Sequence, residues 1–296
     1  MLINKKEISV IIVSFKSDHV IHNCIKSIDK DIDIIIIDNS NNIEFKKKIE
    51  QKYKNVKCIL SNKNLGMGGG NNLGIKYIKK DYAFILNPDV VLKKNTIKEI
   101  VKASKKIKNF AILAPISDQK KFLNYQLNEK DFKKVQWNNH KPFSVKSVDG
   151  FAMLLNLKRL KKIKNFNFFD ENFFLYLEND DLCKRIINHN EQIYVVPKSK
   201  IKHLGGKAVD PKYKKEIEFS RNWHWMWSKF YYNKKHYGYL IAVLKVLKNL
   251  ISSKLKFIYF CLVFNHYKRK IYKMRLLGLL NSMVGQKSFY RPKIDN

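Results

Sequence analysis

The chain alternates apolar runs of strand length with segments of helical period, and that alternation restricts it to a sheet with helices packed against it. Ile8 to Phe15, Ile32 to Ile37, Val56 to Leu60, Tyr82 to Leu86 and Ala111 to Ala114 read as strands. Asp18 to Ile28, Gly68 to Lys79 and Thr96 to Lys106 read as helices, and the Lys-rich stretch Phe45 to Lys48 as the solvated face of another. The strands are close to continuous Ile and Val, the pattern of strands buried on both faces. The expectation is an α/β fold, a parallel sheet with helices on both faces. The polar tips Ser14, Asp38 and Asn87 then lie along one edge, where open α/β sheets take their ligands. Ser117 to Ser147 is weakly patterned and reads as an irregular insertion near that rim.

A chain of 296 residues, 45% of them hydrophobic, suffices for one large α/β domain with a smaller appendage and argues against disorder. The formal net charge of +34 points to an anionic partner. Lysine supplies nearly all of it, with only six arginines, and Lys, Asn and Ile are abundant from end to end. Part of the excess is therefore read as compositional bias, and the rest is assigned to a phosphate-rich ligand and an anionic lipid surface. Nucleic acid is not expected as a partner, because no recognised module and no clustered arginines with interleaved aromatics are found. Cys24, Cys58, Cys183 and Cys261 are far apart, which argues against a structural zinc site or a disulfide framework. A strand pattern begins by Ile8, leaving no room for a signal peptide, and no uncharged apolar stretch reaches about 20 residues. The expectation is a chain that stays in the cytoplasm.

Asn87-Pro88-Asp89 ends the apolar run Tyr82 to Leu86, so Asp89 carries a carboxylate where a buried strand opens into a crevice. Turn chemistry alone accounts for such a tripeptide. A hard divalent cation accounts for it equally, since it prefers oxygen ligands and bridges to substrate phosphates. Asn62 to Ile75 reads NKNLGMGGGNNLGI, with glycines that let backbone amides approach an anion at a helix N-terminus or that form a flexible loop. It matches neither a P-loop nor a dinucleotide fingerprint. Glu178-Asn179-Asp180-Asp181 carries three carboxylates in four residues, either a solvated helix start or the source of a general base. His203 is either a structural histidine or a partner for metal or phosphate. Trp223, Trp225 and Trp227 alternate at spacing two in a region read as helix, so two of them are expected to anchor the core or a lipid boundary.

These pieces together resemble the inverting family 2 glycosyltransferases of GT-A fold, and most nearly the bacterial rhamnosyltransferase-like branch. The resemblance rests on VIIVSF (Val10 to Phe15), IIIIDNS (Ile34 to Ser40), the glycine-rich segment, ILNPDV (Ile85 to Val90), VDGFAMLL (Val148 to Leu155), FDENFFLYLENDDLCKR (Phe169 to Arg185), HLGGKA (His203 to Ala208) and KSFYRP (Lys287 to Pro292). It covers about residues 8 to 236. It implies that Ser14 and Asp38 hold the nucleoside of a nucleoside-diphosphate sugar, and that Asn64, Gly66, Gly70, Asn71 and Asn87 complete the donor site. It implies a Mg²⁺ or Mn²⁺ ion held by Asp89, with His203 on the metal or diphosphate, and Asp149-Gly150 on the acceptor side. The first aspartate of the family's Asp-x-Asp metal motif is here Asn87, and the position commonly taken as the base is Asn179. Asp180, Glu178 and Asp181 remain as candidates for the base, in that order, with Asp181 also placed to orient Arg185. The implied activity is transfer of a sugar, L-rhamnose among the candidates, to a glycan or lipid-linked glycan in cell-envelope polysaccharide synthesis. A catalytically inactive sugar-nucleotide-binding relative is the alternative that accounts for Asn87 and Asn179 together.

The chain divides by this reading into a catalytic domain over 1–236 and a helical segment over 237–296. From Leu240 to Phe264 the segment is strongly apolar but interrupted by lysines, the pattern of helices lying in the interface of an anionic membrane. A helical hairpin packed on the catalytic domain or on a twin subunit is the competing account. On the membrane reading the protein works at the inner face of the cytoplasmic membrane.

Overall fold

A computed structural model describes residues 4–107, 109–118, 123–127 and 141–294. Much of the insertion expected over Ser117 to Ser147 lies outside the described residues. Residues 1–65, 69–170 and 179–210 form one compact unit, and residues 66–68, 171–178 and 211–296 form a second.

The first unit opens with the alternation expected: β1 (Ile8–Ser14), α1 (Asp18–Lys26), β2 (Asp33–Asp38), α2 (Ile43–Lys52), β3 (Val56–Leu60), α3 (Gly66–Tyr77) and β4 (Tyr82–Leu86). It continues through β5 (Val90–Leu92), α4 (Thr96–Lys106), β6 (Ile112–Ser117), β7 (Tyr125–Gln126), β8 (Phe143–Ser144), β9 (Ser147–Val148) and β10 (Ala152–Asn156). The short helix α5 (Leu157–Leu160), α6 (Glu178–Asn188) and the long strand β11 (Ile193–His203) complete it, although Glu178 at the start of α6 and Gly66 to Gly68 at the start of α3 group with the second unit. The main sheet runs β3-β2-β1-β4-β10-β6-β11-β5, with β8 beside β11. Strands β3, β2, β1 and β4 are mutually parallel, as expected. The other half is not: β10 runs antiparallel to β4 and β6, and β5 and β8 run antiparallel to β11. These antiparallel pairs join strands distant in sequence, such as β4 with β10 and β5 with β11, so their direction is set by long-range pairing rather than by a hairpin turn.

Every residue of β1 is buried, which explains its unbroken apolar run. Ile8, Val10 and Ile12 point into one core with α1, α2 and α4, and Ile11 points into the other with α3, α5 and α6. The glycines of α3 serve this packing. A Cβ on Gly70 would lie 2.7 Å from Val13, and one on Gly74 would lie 2.7 Å from Ile11, so the helix axis can approach the sheet only where side chains are missing.

The second unit is built on α7 (Lys214–Tyr237), α8 (Tyr239–Leu262) and α9 (His266–Met283). Gly238, at φ +84, breaks the chain between α7 and α8 near the boundary expected at 236. Packing nonetheless groups α7 with the helices that follow it. Phe219, Trp223 and Trp227 of α7 are buried with Met274 of α9, and Met226 and Phe230 with Ala242 and Val246 of α8. Trp223 and Trp227 lie one helical turn apart and stack at 6.5 Å, while Trp225 remains exposed. Two of the three tryptophans thus anchor a core.

The KSFYRP tail closes this unit. His224 of α7 is fully buried, with its Nε2 2.9 Å from the Tyr290 carbonyl and its Nδ1 3.0 Å from the Ser288 hydroxyl. A carbonyl only accepts, so Nε2 carries the proton and Ser288 donates to Nδ1. Burial pushes the imidazole down to about 3 from 6.5. Because the folded value lies below the unfolded one, its contribution is complete above pH 6.5 and is lost progressively as pH falls toward 3. At pH 4.5 the expected loss is about 2 to 3 kcal/mol. Urea midpoints measured against pH check this, and His224→Phe should flatten the dependence while lowering overall stability.

Candidate active site

The site is set by register. Ser14 pairs with Asp38 across β1 and β2, and Ile12 pairs with Leu86 across β1 and β4, so three strand ends arrive at one edge. Between β1 and β4 the strand order reverses, the switch point at which open sheets leave a crevice. Ser14 and Asp38 are buried there. The Asp38 carboxylate accepts the amide of Ser40 at 3.1 Å and that of Asn42 at 2.8 Å, so it fastens its own loop while keeping further lone pairs. Burial nevertheless raises its carboxyl above the usual range. Asn64 is half-buried, and Asn71, on α3, is buried.

Asn87-Pro88-Asp89 links β4 to β5. Antiparallel pairing of β5 with β11 sets His203 opposite Val90, the neighbour of Asp89. The turn after β11 then folds around the aspartate. Leu204 donates its amide to the Asp89 carbonyl at 3.1 Å, Lys207 donates its amide to Asp89 Oδ2 at 3.2 Å, and His203 Nε2 stands 3.5 Å from Asp89 Oδ1. Gly205 and Gly206, at φ +64 and +69, allow this turn. The His203 ring stacks on Phe151 at 4.0 Å, and Phe151 in turn accepts the Asn87 amide through its carbonyl. Sequence reading did not single out Phe151 or the Lys207 amide; the HLGGKA and VDGFAMLL motifs were the only signals.

Asp89 is 2% exposed, yet its Oδ1 has no hydrogen-bond partner. Ser14 Oγ, Asn71 Oδ1 and Asn87 Oδ1 are buried without partners as well. Such atoms are costly unless satisfied, and Ser14 ends β1 while Asn87 directly follows β4, in the loop that carries Asp89. An unpaired carboxylate oxygen with an imidazole beside it fits a divalent cation that keeps its remaining places for water and phosphate. Among the described residues no group of three or more His, Cys, Asp or Glu forms a closed metal cage.

The residues expected on the acceptor side, Asp149 and Gly150, lie in the same unit. Asn179, at the start of α6, donates through its side-chain amide to the Val148 carbonyl at 2.9 Å. A Cβ on Gly150 would lie 3.2 Å from Asn179 Cβ, so the two segments meet closely and a side chain there would have to displace Asn179 by a few tenths of an ångström. Asp180 accepts hydrogen bonds from the Ser147 and Asn179 side chains, though burial outweighs them and raises its carboxyl. Asp149 is solvent-accessible but crowded by protein atoms. That crowding, reinforced by the negative charge of Asp180 and partly opposed by His203, pushes its carboxyl up to about 6. Asp181 is fully buried and accepts from Arg185 Nε at 2.8 Å, and Arg185 spends its other nitrogens on the carbonyls of Asn167 and Phe168. That arrangement holds the chain before α6 and leaves Asp181 turned away from solvent. Glu178 and Gly66 belong to the second unit. There a Cβ on Gly66, at φ +72, would fall 2.1 Å from the Phe174 carbonyl oxygen, and Met67 donates its amide to that same oxygen.

Comparison with known proteins accords with this arrangement. The model of glycosyl transferase family 2 matches residues 9–167, and the chain belongs to that family. It is 26% identical over 208 residues to the low-salt glycan biosynthesis hexosyltransferase Agl10 of Haloferax volcanii, covering 63% of this chain and 64% of that one. It is 27% identical over 212 residues to the rhamnosyltransferase WbbL of Escherichia coli K12, covering 64% of this chain and 80% of that one. Among solved structures it is similar to GalNAc-T7 with UDP, GalNAc and Mn²⁺, with a TM-score of 0.55 at 15% identity over 73% of this chain and 50% of that one. It is similar also to S. aureus TarS 1-349, with a TM-score of 0.50 at 14% identity over 96% of this chain and 93% of that one. The fold is that of the GT-A glycosyltransferases.

Proposed function

We propose that the protein is a glycosyltransferase that moves a sugar from a nucleoside-diphosphate donor to a hydroxyl of a glycan or lipid-linked glycan, with inversion and with a divalent cation. The observation that carries this reading is the row of buried, unpartnered polar atoms at the ends of β1 and β4, closed by Asp89 and His203. Ser14, Asp38, Asn71 and Asn87 would bind the donor, and Asp89 with His203 would hold the cation. A bound Mg²⁺ or Mn²⁺ supplies Lewis-acid charge to the leaving diphosphate.

Inversion is a direct displacement. The acceptor oxygen forms its bond to the anomeric carbon as the bond to the diphosphate breaks, and the hydroxyl proton must pass to a base. Asp149 is the residue we assign to that role, in preference to Asp180. Its carboxylate is open to solvent, whereas Asp180 is engaged with Ser147 and Asn179 and acts as a charged neighbour. The relatives' names favour a hexose or rhamnose donor and a glycan as product.

Thermal midpoints measured against a panel of nucleoside diphosphates and nucleotide sugars, with and without Mn²⁺, test the reading. A ligand bound only by the folded state raises the midpoint, by about 2.7 kcal/mol of stability at a hundredfold excess over Kd. One nucleotide should do so in a metal-dependent way, and no response to any nucleotide would remove the donor site. Asn179 favours a second reading, an inactive binding relative, because its amide is committed to Val148 where a base is otherwise expected. Nucleotide binding without turnover across a broad panel of lipid-linked acceptors would select it.

A further inference from the structure

Helix α8 is apolar on two opposite sides. Ala242, Val246 and Ser253 form its buried face, packed within the second unit. Half a turn around the helix, Leu240, Leu244, Leu247, Ile251, Leu255 and Leu262 recur every three or four residues until the last step, and all are exposed, from 43% for Leu247 to 78% for Leu240. At 1.5 Å per residue this stripe is about 33 Å long. A continuous exposed apolar stripe of that length marks a binding surface rather than a solvated one. Its end is apolar as well, with Phe264 exposed at a left-handed turn, φ +53, before α9.

Charge selects the occupant. Between Glu218 and Asp295 the chain has no carboxylate and sixteen Lys and Arg residues. Lys248 and Lys254 flank the stripe on its two sides, and Lys256 lines the same shallow groove as Leu247, Ile251 and Leu255. A second copy of the chain would present an identical stripe with identical lysines, and two-fold pairing would set like charges against each other. Among the described residues no helix is long and apolar enough to cross a membrane. An in-plane helix with its apolar face sunk to the acyl boundary and its lysines extended to the headgroups meets all of these conditions.

We propose that the outward face of α8 is a docking surface for a bilayer containing anionic lipid, on which the helix lies parallel to the membrane plane. This face would bring the protein to the surface where a lipid-linked acceptor resides. Vesicle binding needs neither donor nor turnover, so its outcome is separable from that of the proposed activity.

The test is flotation of the full chain with vesicles of phosphatidylcholine alone and with an equal part of phosphatidylglycerol, at low and high salt. Binding is expected only with the anionic lipid and should weaken with salt. Leu244→Asp/Leu255→Asp should lower the partition coefficient at least about tenfold, because two inserted side chains are lost and two like-sign charges face the headgroups. Lys248→Glu/Lys254→Glu should produce a loss of similar size while keeping the apolar stripe. Both pairs lie at the surface, and an unchanged thermal midpoint verifies folding. Unaltered binding in both variants, or no binding by the parent chain, overturns the proposal. So does concentration-dependent dimerisation that the leucine variant abolishes, which would assign the face to a second copy.

Discussion

Asp89→Asn is expected to abolish the metal-dependent rise in thermal midpoint with nucleotide and to lower turnover about a thousandfold, the loss of several kcal/mol of charge stabilisation on the leaving diphosphate. The substitution changes little else. The new amide can keep its oxygen on the Lys207 N–H and turn its NH₂ toward His203, so the loop after β11 retains its contacts. The carboxylate it replaces is 2% exposed with one oxygen unpartnered, and an incompletely satisfied buried charge is itself costly, so its removal is not expected to destabilise the fold. The variant should therefore melt at or above the parent temperature without ligand and respond less with it. A general folding defect would lower both values. If Asp89→Asn shows the same Mn²⁺-dependent shift as the parent chain, Asp89 does not hold the cation.

The sequence made the parallel half of this fold legible because strands buried on both faces leave an unbroken Ile and Val signature, as in β1 and β2. It hid the mixed half. Strand direction leaves no mark on composition, and β11 runs through Val196, Pro197 and Lys200 with a shift of register that disguises it as a loop. The glycines of NKNLGMGGGNNLGI were visible, but their division of labour was not. Gly70 and Gly74 are needed for a helix pressed on a strand, and only Gly66 for a loop conformation, a distinction that depends on where Val13 and Ile11 lie.

The candidate site shows the same boundary between local and long-range information. Asp89 and His203 stand out as residues, but they meet only because β5 pairs with β11, more than a hundred positions later. Asp180 drew the sequence reading because it adjoins Asn179 in the motif. Its environment depends on Ser147, and that of Asp149 on crowding and on Asp180 and His203, none of which a linear pattern contains. Asp181 was legible in one of its two readings, since an Asp and an Arg four apart on a helix face each other, and this pair is 2.8 Å apart.

Asp149→Asn is expected to reduce kcat about a hundred- to ten-thousandfold, the usual worth of a positioned general base. The pH profile separates this role from a structural one. A base must be ionised to accept the acceptor's proton, and the Asp149 carboxyl is pushed up to about 6, so kcat/KM of the parent enzyme should fall tenfold per unit as pH drops below that value. Asp180→Asn removes the negative neighbour that helps to raise Asp149 and should therefore move the acid limb to lower pH while retaining most of the activity at neutral pH. Asp149→Asn should leave a low residual rate without that limb. KM for the donor should stay near the parent value in both, because neither carboxylate is among the residues assigned to hold the donor. The opposite pattern, activity lost in Asp180→Asn and kept with its acid limb in Asp149→Asn, would return the base to Asp180. It would make the raised Asp149 carboxyl a consequence of crowding beside the true base.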